Sequence, residues 1–126
     1  PIGEHLEELF IRHQNAYFSV DAALMLGYSL MDSCIHTKEQ FMANLRSKLS
    51  YYSILASSVA FWKPVIEAHP TRMMWGTDVY YWWHYDPEVL HIITQFGRDF
   101  VANLNTGAQE GFAYRNALEM LNNTSR

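Results

Sequence analysis

The side chains best suited to chemistry gather in one stretch, Arg72-Met73-Met74-Trp75-Gly76-Thr77-Asp78, which ends in a small residue, a hydroxyl and a carboxylate. It runs directly into Val79-Tyr80-Tyr81-Trp82-Trp83-His84-Tyr85. The apolar run from Met73 to Trp75, bracketed by Pro70 and Gly76, predicts a buried parallel strand, because it is too short for a helix and has turn residues on both sides. Asp78 then lies just past the carboxyl end of that strand, where parallel α/β proteins collect ligands and catalytic groups. A carboxylate there, walled by aromatics, is a candidate metal ligand or general base. Gly-Thr-Asp is also ordinary turn chemistry, and the residues alone favour Asp78 as an N-cap or turn residue.

Other chemistry is thin. Six histidines (His5, His13, His36, His69, His84, His91) form no His-x-His pair, so local spacing builds no complete metal site. Cys34 has only His36 as a nearby base and reads as an inert buried thiol. There is no glycine-rich phosphate loop and no Gly-x-Ser-x-Gly elbow. The aromatic string lacks the interleaved cations of a single-strand nucleic-acid groove, and a net charge of −4 with scattered Lys and Arg argues against nucleic acid generally.

The run Arg72–Asp78, the following Pro87, and the ending Glu110-Gly111-Phe112-Ala113-Tyr114-Arg115-Asn116-Ala117-Leu118-Glu119-Met120-Leu121 resemble the last part of a metal-dependent amidohydrolase of the TIM-barrel type. In that family the last barrel strand ends in Gly-Ser/Thr-Asp, and the last helix carries Asn-Ala before an aliphatic pair. The resemblance implies that Asp78 is the strand-eight aspartate, touching a divalent metal (zinc) and taking a proton from the attacking water. It implies a (β/α)8 fold of which residues 1–126 are the C-terminal part, helix-rich with about two parallel strands. The implied activity is hydrolysis, or the related decarboxylation, of a small organic acid or ester. Tyr81, Trp82, Trp83 and His84 would wall the substrate pocket in the loop after strand eight. The histidine ligands would lie on earlier strands, so the implied partner is the rest of the barrel or another copy of the chain. The competing class is a non-catalytic interaction module derived from a truncated barrel.

The elements that must position these residues follow from periodicity. Leu6, Leu9 and Phe10 define an amphipathic helix over Glu4–His13. Ala16–Val20 reads as a strand, the seventh by the resemblance, ending at Asp21, which caps the next turn or faces the same pocket as Asp78. Ala22–Ile35 predicts a loop with a short helix. Thr37 and Gln40 form a capping box ahead of Phe41, Met42, Leu45 and Leu49. A helix over Ser53–Ala68 should break near Phe61–Lys63, ahead of Pro64. Asp86-Pro87-Glu88 starts a helix that Gly97 should end, with a further short turn over Asp99–Leu104. Thr106–Gln109 offers another capping box, with a helix to about Ala113 and a polar tail from Asn122.

Size and composition bound the rest. With 126 residues the chain suggests one domain, and 49% hydrophobic with 15% aromatic content can fill a substantial core. Low charge (17%) beside four Trp, eight Tyr and seven Phe suggests surfaces covered by a partner or ligand. One cysteine permits no internal disulfide, pointing to a reducing, cytoplasmic location. No apolar run reaches membrane-span length. Pro1-Ile2-Gly3 falls straight into a helical pattern without an initiator methionine, which reads as a segment of a longer protein.

Overall fold

The computed structural model describes residues 2–28, 35–47 and 51–124. Their order is α1 (Ile2–Arg12), β1 (Phe18–Asp21), α2 (Ala22–Tyr28), α3 (Lys38–Ser47), α4 (Tyr51–Ala68), β2 (Met73–Gly76), a 3-10 turn (Trp82–Tyr85), α5 (Pro87–Ala102), α6 (Thr106–Glu110), a π-turn (Gly111–Arg115) and α7 (Asn116–Thr124). Cys34 lies outside the described residues.

The two strands form where aromatic and apolar content foretold them, parallel and in the register Phe18↔Met73 to Asp21↔Gly76. Alternation along a strand gives the pair two unlike faces. Val20 and Met73 are buried on one face, whereas Ser19 and Asp21 lie on the other, with Ser19 Oγ donating to Asp21 Oδ1 at 2.8 Å. Arg72 locks the entry of both strands. Its Nε donates to Ala16 O (2.7 Å) and its Nη2 to His13 O (2.5 Å), while the guanidinium lies 4.7 Å from the Phe10 ring centre.

Helices cover the apolar side of this sheet. Leu6 and Phe10, one turn apart, bury the inner stripe of α1 as the periodicity requires. The capping box holds at α3: Thr37 Oγ1 accepts from the Gln40 N–H at 3.2 Å, and Gln40 Oε1 accepts from the His36 N–H at 2.8 Å. Asp86 caps α5 by accepting from the Glu88 N–H at 3.0 Å, with Pro87 at the first helical position. Lys38 bridges Asp86 and Glu88, tying α3 to the start of α5. Phe96, Phe100 and Phe112 fill the centre at 1% exposure or less.

Three local expectations are corrected. α4 begins at Tyr51 and continues through Pro64 to Ala68 without interruption. α5 does not stop at Gly97 but runs on to Ala102. The last cap is Asn105, whose Oδ1 accepts from the Ala108 N–H at 2.9 Å, and the helical path beyond it continues past Ala113 through the π-turn and α7.

The larger correction concerns the barrel and the amidohydrolase family with it. The described residues form a helix-dominated domain whose sheet has two strands and is open. A (β/α)8 barrel closes eight tilted, staggered strands, each followed by one helix. Here, among the described residues, three helices, α2, α3 and α4, separate β1 from β2. Two four-residue strands neither curl nor close, so the fold is not the C-terminal part of a TIM barrel. No helix among the described residues is long and apolar enough to cross a membrane.

Candidate ligand-binding site

The residues first singled out for chemistry do not assemble a metal centre. Among the described residues there is no group of three His, Cys, Asp or Glu side chains able to hold a metal ion. A structural zinc uses four such ligands and a catalytic one three. The expected divalent metal, zinc included, therefore has no coordination set there. The metal-dependent hydrolase or decarboxylase reading built on it is withdrawn.

Asp78 serves the backbone. Its φ of 50° is left-handed, unique among the described non-glycine residues, and its side chain is exposed. Asp tolerates that conformation better than most residues because its short polar chain can bond locally. The turn it makes releases the chain from β2 into the aromatic loop.

That loop splits the four expected pocket residues. Trp83 is buried against Phe41, with ring centres 5.7 Å apart, and stacks on Tyr81 at 5.8 Å and 12°. Tyr81 is half-buried, with its hydroxyl 3.4 Å from His36 Nδ1. Trp82 points out and is 84% exposed. His84 is buried edge-on against Trp83 at 4.2 Å, and its Nδ1 accepts the Tyr80 N–H at 3.2 Å. Because Nδ1 is an acceptor, His84 is the neutral Nε2–H tautomer in this arrangement.

Burial pushes the His84 pKa below its ordinary 6.5, and the nearby negative charge of Asp78 only partly opposes this. A folded-state pKa below the unfolded one means that the unfolded chain binds more protons in between. The contribution of His84 is therefore present above about pH 6.5 and lost as pH falls through the lowered value. Its slope is bounded at about 1.4 kcal/mol per pH unit for one proton. Melting temperatures from pH 7.5 to 5 should fall less steeply for His84→Gln than for the parent chain. Parallel curves would remove His84 as the cause.

An open pocket lies elsewhere, between the exit of β2, the outer side of α5 and the start of the C-terminal helices. This cavity holds about 430 Å³, within the range of small-molecule pockets. Trp75 forms its back wall. The Trp75 ring stacks on Phe100 (6.4 Å, 24°), meets Phe112 edge-on (6.1 Å) and lies against Gly97, where a Cβ would come within 2.3 Å of it. Thr77 continues the wall beyond the strand end, while Val101 and Ala113 add apolar surface. Gln109 is held in place by its Nε2 donating to Leu104 O at 2.9 Å, leaving Oε1 as an acceptor. Arg98 stands at the rim, exposed.

None of Asp78, Tyr81, Trp82, Trp83 and His84 lines this cavity. A signal for it was present in the sequence nonetheless. Thr94, Gly97, Arg98, Val101 and Ala102 follow one another at i, i+3, i+4, i+7 and i+8, a single helix face of mostly small residues. Taking Gly97 as a helix stop hid it. Compared with known proteins, the chain matches no family model, no curated protein and no solved structure, so its site is read from its own geometry.

Proposed function

We propose that this chain is a ligand-binding module whose Trp75 pocket takes a small, mostly apolar molecule at the carboxyl end of β2. The single observation that carries this is the preformed cavity of about 430 Å³ between β2, α5 and the C-terminal helices, walled mainly by carbon. Pockets of this kind, with a few placed polar groups, are the default binding sites of folded domains. The position fits parallel-strand geometry, in which strand ends and helix starts leave a crevice. We also read the chain as cytoplasmic, on its single cysteine.

The test uses the four Trp indole N–H signals of an amide NMR spectrum. A neutral aromatic fragment of about a dozen heavy atoms gains at least ~4 kcal/mol in a real pocket, a Kd of about 1 mM or tighter. Titration should move the Trp75 indole signal and leave that of exposed Trp82 in place. Ala102→Phe, at an exposed position on the pocket edge, should weaken binding tenfold or more with little change in melting temperature. A fragment series that never moves Trp75 would refute the proposal.

A second reading rests on Trp82, 84% exposed, between Tyr80 and Tyr85, each 60% exposed. Apolar surface concentrated on one turn favours self-association. Sedimentation velocity at rising concentration should show a dimer that Trp82→Ser abolishes. A monomer at every concentration would end that reading.

A further inference from the structure

The rim of the pocket carries a charge that the described residues leave without an ion pair. Arg98 makes no ion pair or side-chain hydrogen bond among the described residues. Asp99, its neighbour in sequence, is engaged elsewhere: Oδ2 accepts the Tyr51 hydroxyl at 2.6 Å and Oδ1 accepts Gln95 Nε2 at 2.8 Å. Glu67, between the ends of α4 and α5, is bound by Lys63 Nζ at 2.6 Å and by the Asn105 N–H at 2.6 Å. Glu110 pairs with Arg115. Asp99, Glu67 and Glu110 are thus engaged away from the rim, and among the described residues the guanidinium beside the cavity keeps its donor set.

We propose that the Trp75 pocket selects small apolar monocarboxylic acids, with the carbon body against Trp75, Val101 and Ala113 and the carboxylate on Arg98. This rests on the pocket being a binding site, as proposed above. The chemistry favours an anion because guanidinium recognises a carboxylate in a two-pronged, charge-assisted geometry. It favours a monoanion because Arg98 is the one cation among the described residues that line the cavity, whose other polar groups, such as Thr77 and Gln109, are neutral. A second carboxylate inside would be buried against carbon without a partner.

The experiment is calorimetric titration of the parent chain and of Arg98→Gln with two probes of one carbon body, 4-phenylbutyrate and 4-phenylbutanamide. The parent should bind the acid about fivefold to tenfold more tightly than the amide at low salt, and the margin should shrink as salt rises. Arg98→Gln, at an exposed position, should keep the parent's melting temperature, which shows that it folds, and should lose the preference for the acid. Equal binding of both probes by the parent would overturn the role of Arg98 while leaving the pocket standing. So would a preference for the acid that survives in Arg98→Gln. Failure of both probes to bind the parent would overturn the inference together with the pocket reading.

Discussion

Asn116→Asp is expected to lose about 4 kcal/mol of folding stability, a large share of the roughly 5–15 kcal/mol that holds a domain together. Asn116 is 2% exposed, and its Nδ2 donates to two backbone carbonyls at once, Pro70 O at 2.8 Å and Met73 O at 2.7 Å. One side-chain amide thus ties the first residue of α7 to the turn before β2 and to β2 itself. Asp has almost the same shape but, when ionised, no donor at all. Both carbonyls lose their partner, at about 1–3 kcal/mol for each buried group left unsatisfied, and a carboxylate now faces two carbonyl oxygens. Asn116→Ala removes the donors without adding charge and should cost less, about 2–3 kcal/mol. Urea midpoints for the three proteins settle the order. An Asp variant within 1 kcal/mol of the parent would mean that the tie does not hold α7 in solution. Protonation restores one donor to Asp, so its deficit relative to the parent should narrow as pH is lowered.

Gly97→Leu should cost about 2–3 kcal/mol and close the pocket. Two effects oppose each other. Glycine inside a helix is about 1 kcal/mol worse than a good helix former, so any replacement recovers that much backbone stability. Against it, a Cβ at position 97 would lie 2.3 Å from Trp75 Cζ2 and 2.8 Å from Cε2, far inside contact distance. Overpacking of a core typically costs 1–3 kcal/mol, and a branched side chain falls at or above the top of that range. Sterics win, and Trp75 can yield only by moving off Phe100 and Phe112 into the cavity. Binding of a pocket ligand should then drop at least tenfold. Gly107→Ala is the control of opposite sign: the nearest atom to its new Cβ is Asn105 Oδ1 at an ordinary 3.5 Å, so the helix-propensity gain stands alone. Thermal melts of the pair should move in opposite directions. A neutral Gly97→Leu would show that Trp75 is not fixed where the cavity needs it.

The same glycine shows why part of the fold was legible in the sequence and part was not. Gly97 as a helix stop is a sound local rule, since glycine favours helix ends. It fails here because the decisive neighbour, Trp75, is 22 positions away and arrives only with the sheet. Pro64 is a similar case, a local breaker carried inside α4 by the packing of the buried residues on either side of it, Ile54 and Ile66. By contrast, Asp86-Pro87-Glu88 and Thr37-Lys38-Glu39-Gln40 were read correctly because a cap is complete within four residues.

The sequence by itself determined the elements whose causes are local: the amphipathic stripe of α1, two short strands rich in aromatic and aliphatic residues, and the caps of α3 and α5. Tertiary structure alone decided how the strands pair and where the key residues sit. Gly-Thr-Asp and Asn-Ala suggested a barrel by resemblance to the ends of its last strand and helix, and such short motifs recur in unrelated folds. Strand count and closure belong to the whole sheet, and no short motif encodes them. Asn116 became a tie between α7 and β2, Asp78 a left-handed turn, and His84 a buried acceptor. The pocket arose where a glycine on one helix face meets a tryptophan from a distant strand. A pocket is a property of surfaces brought together, and neither surface alone contains it.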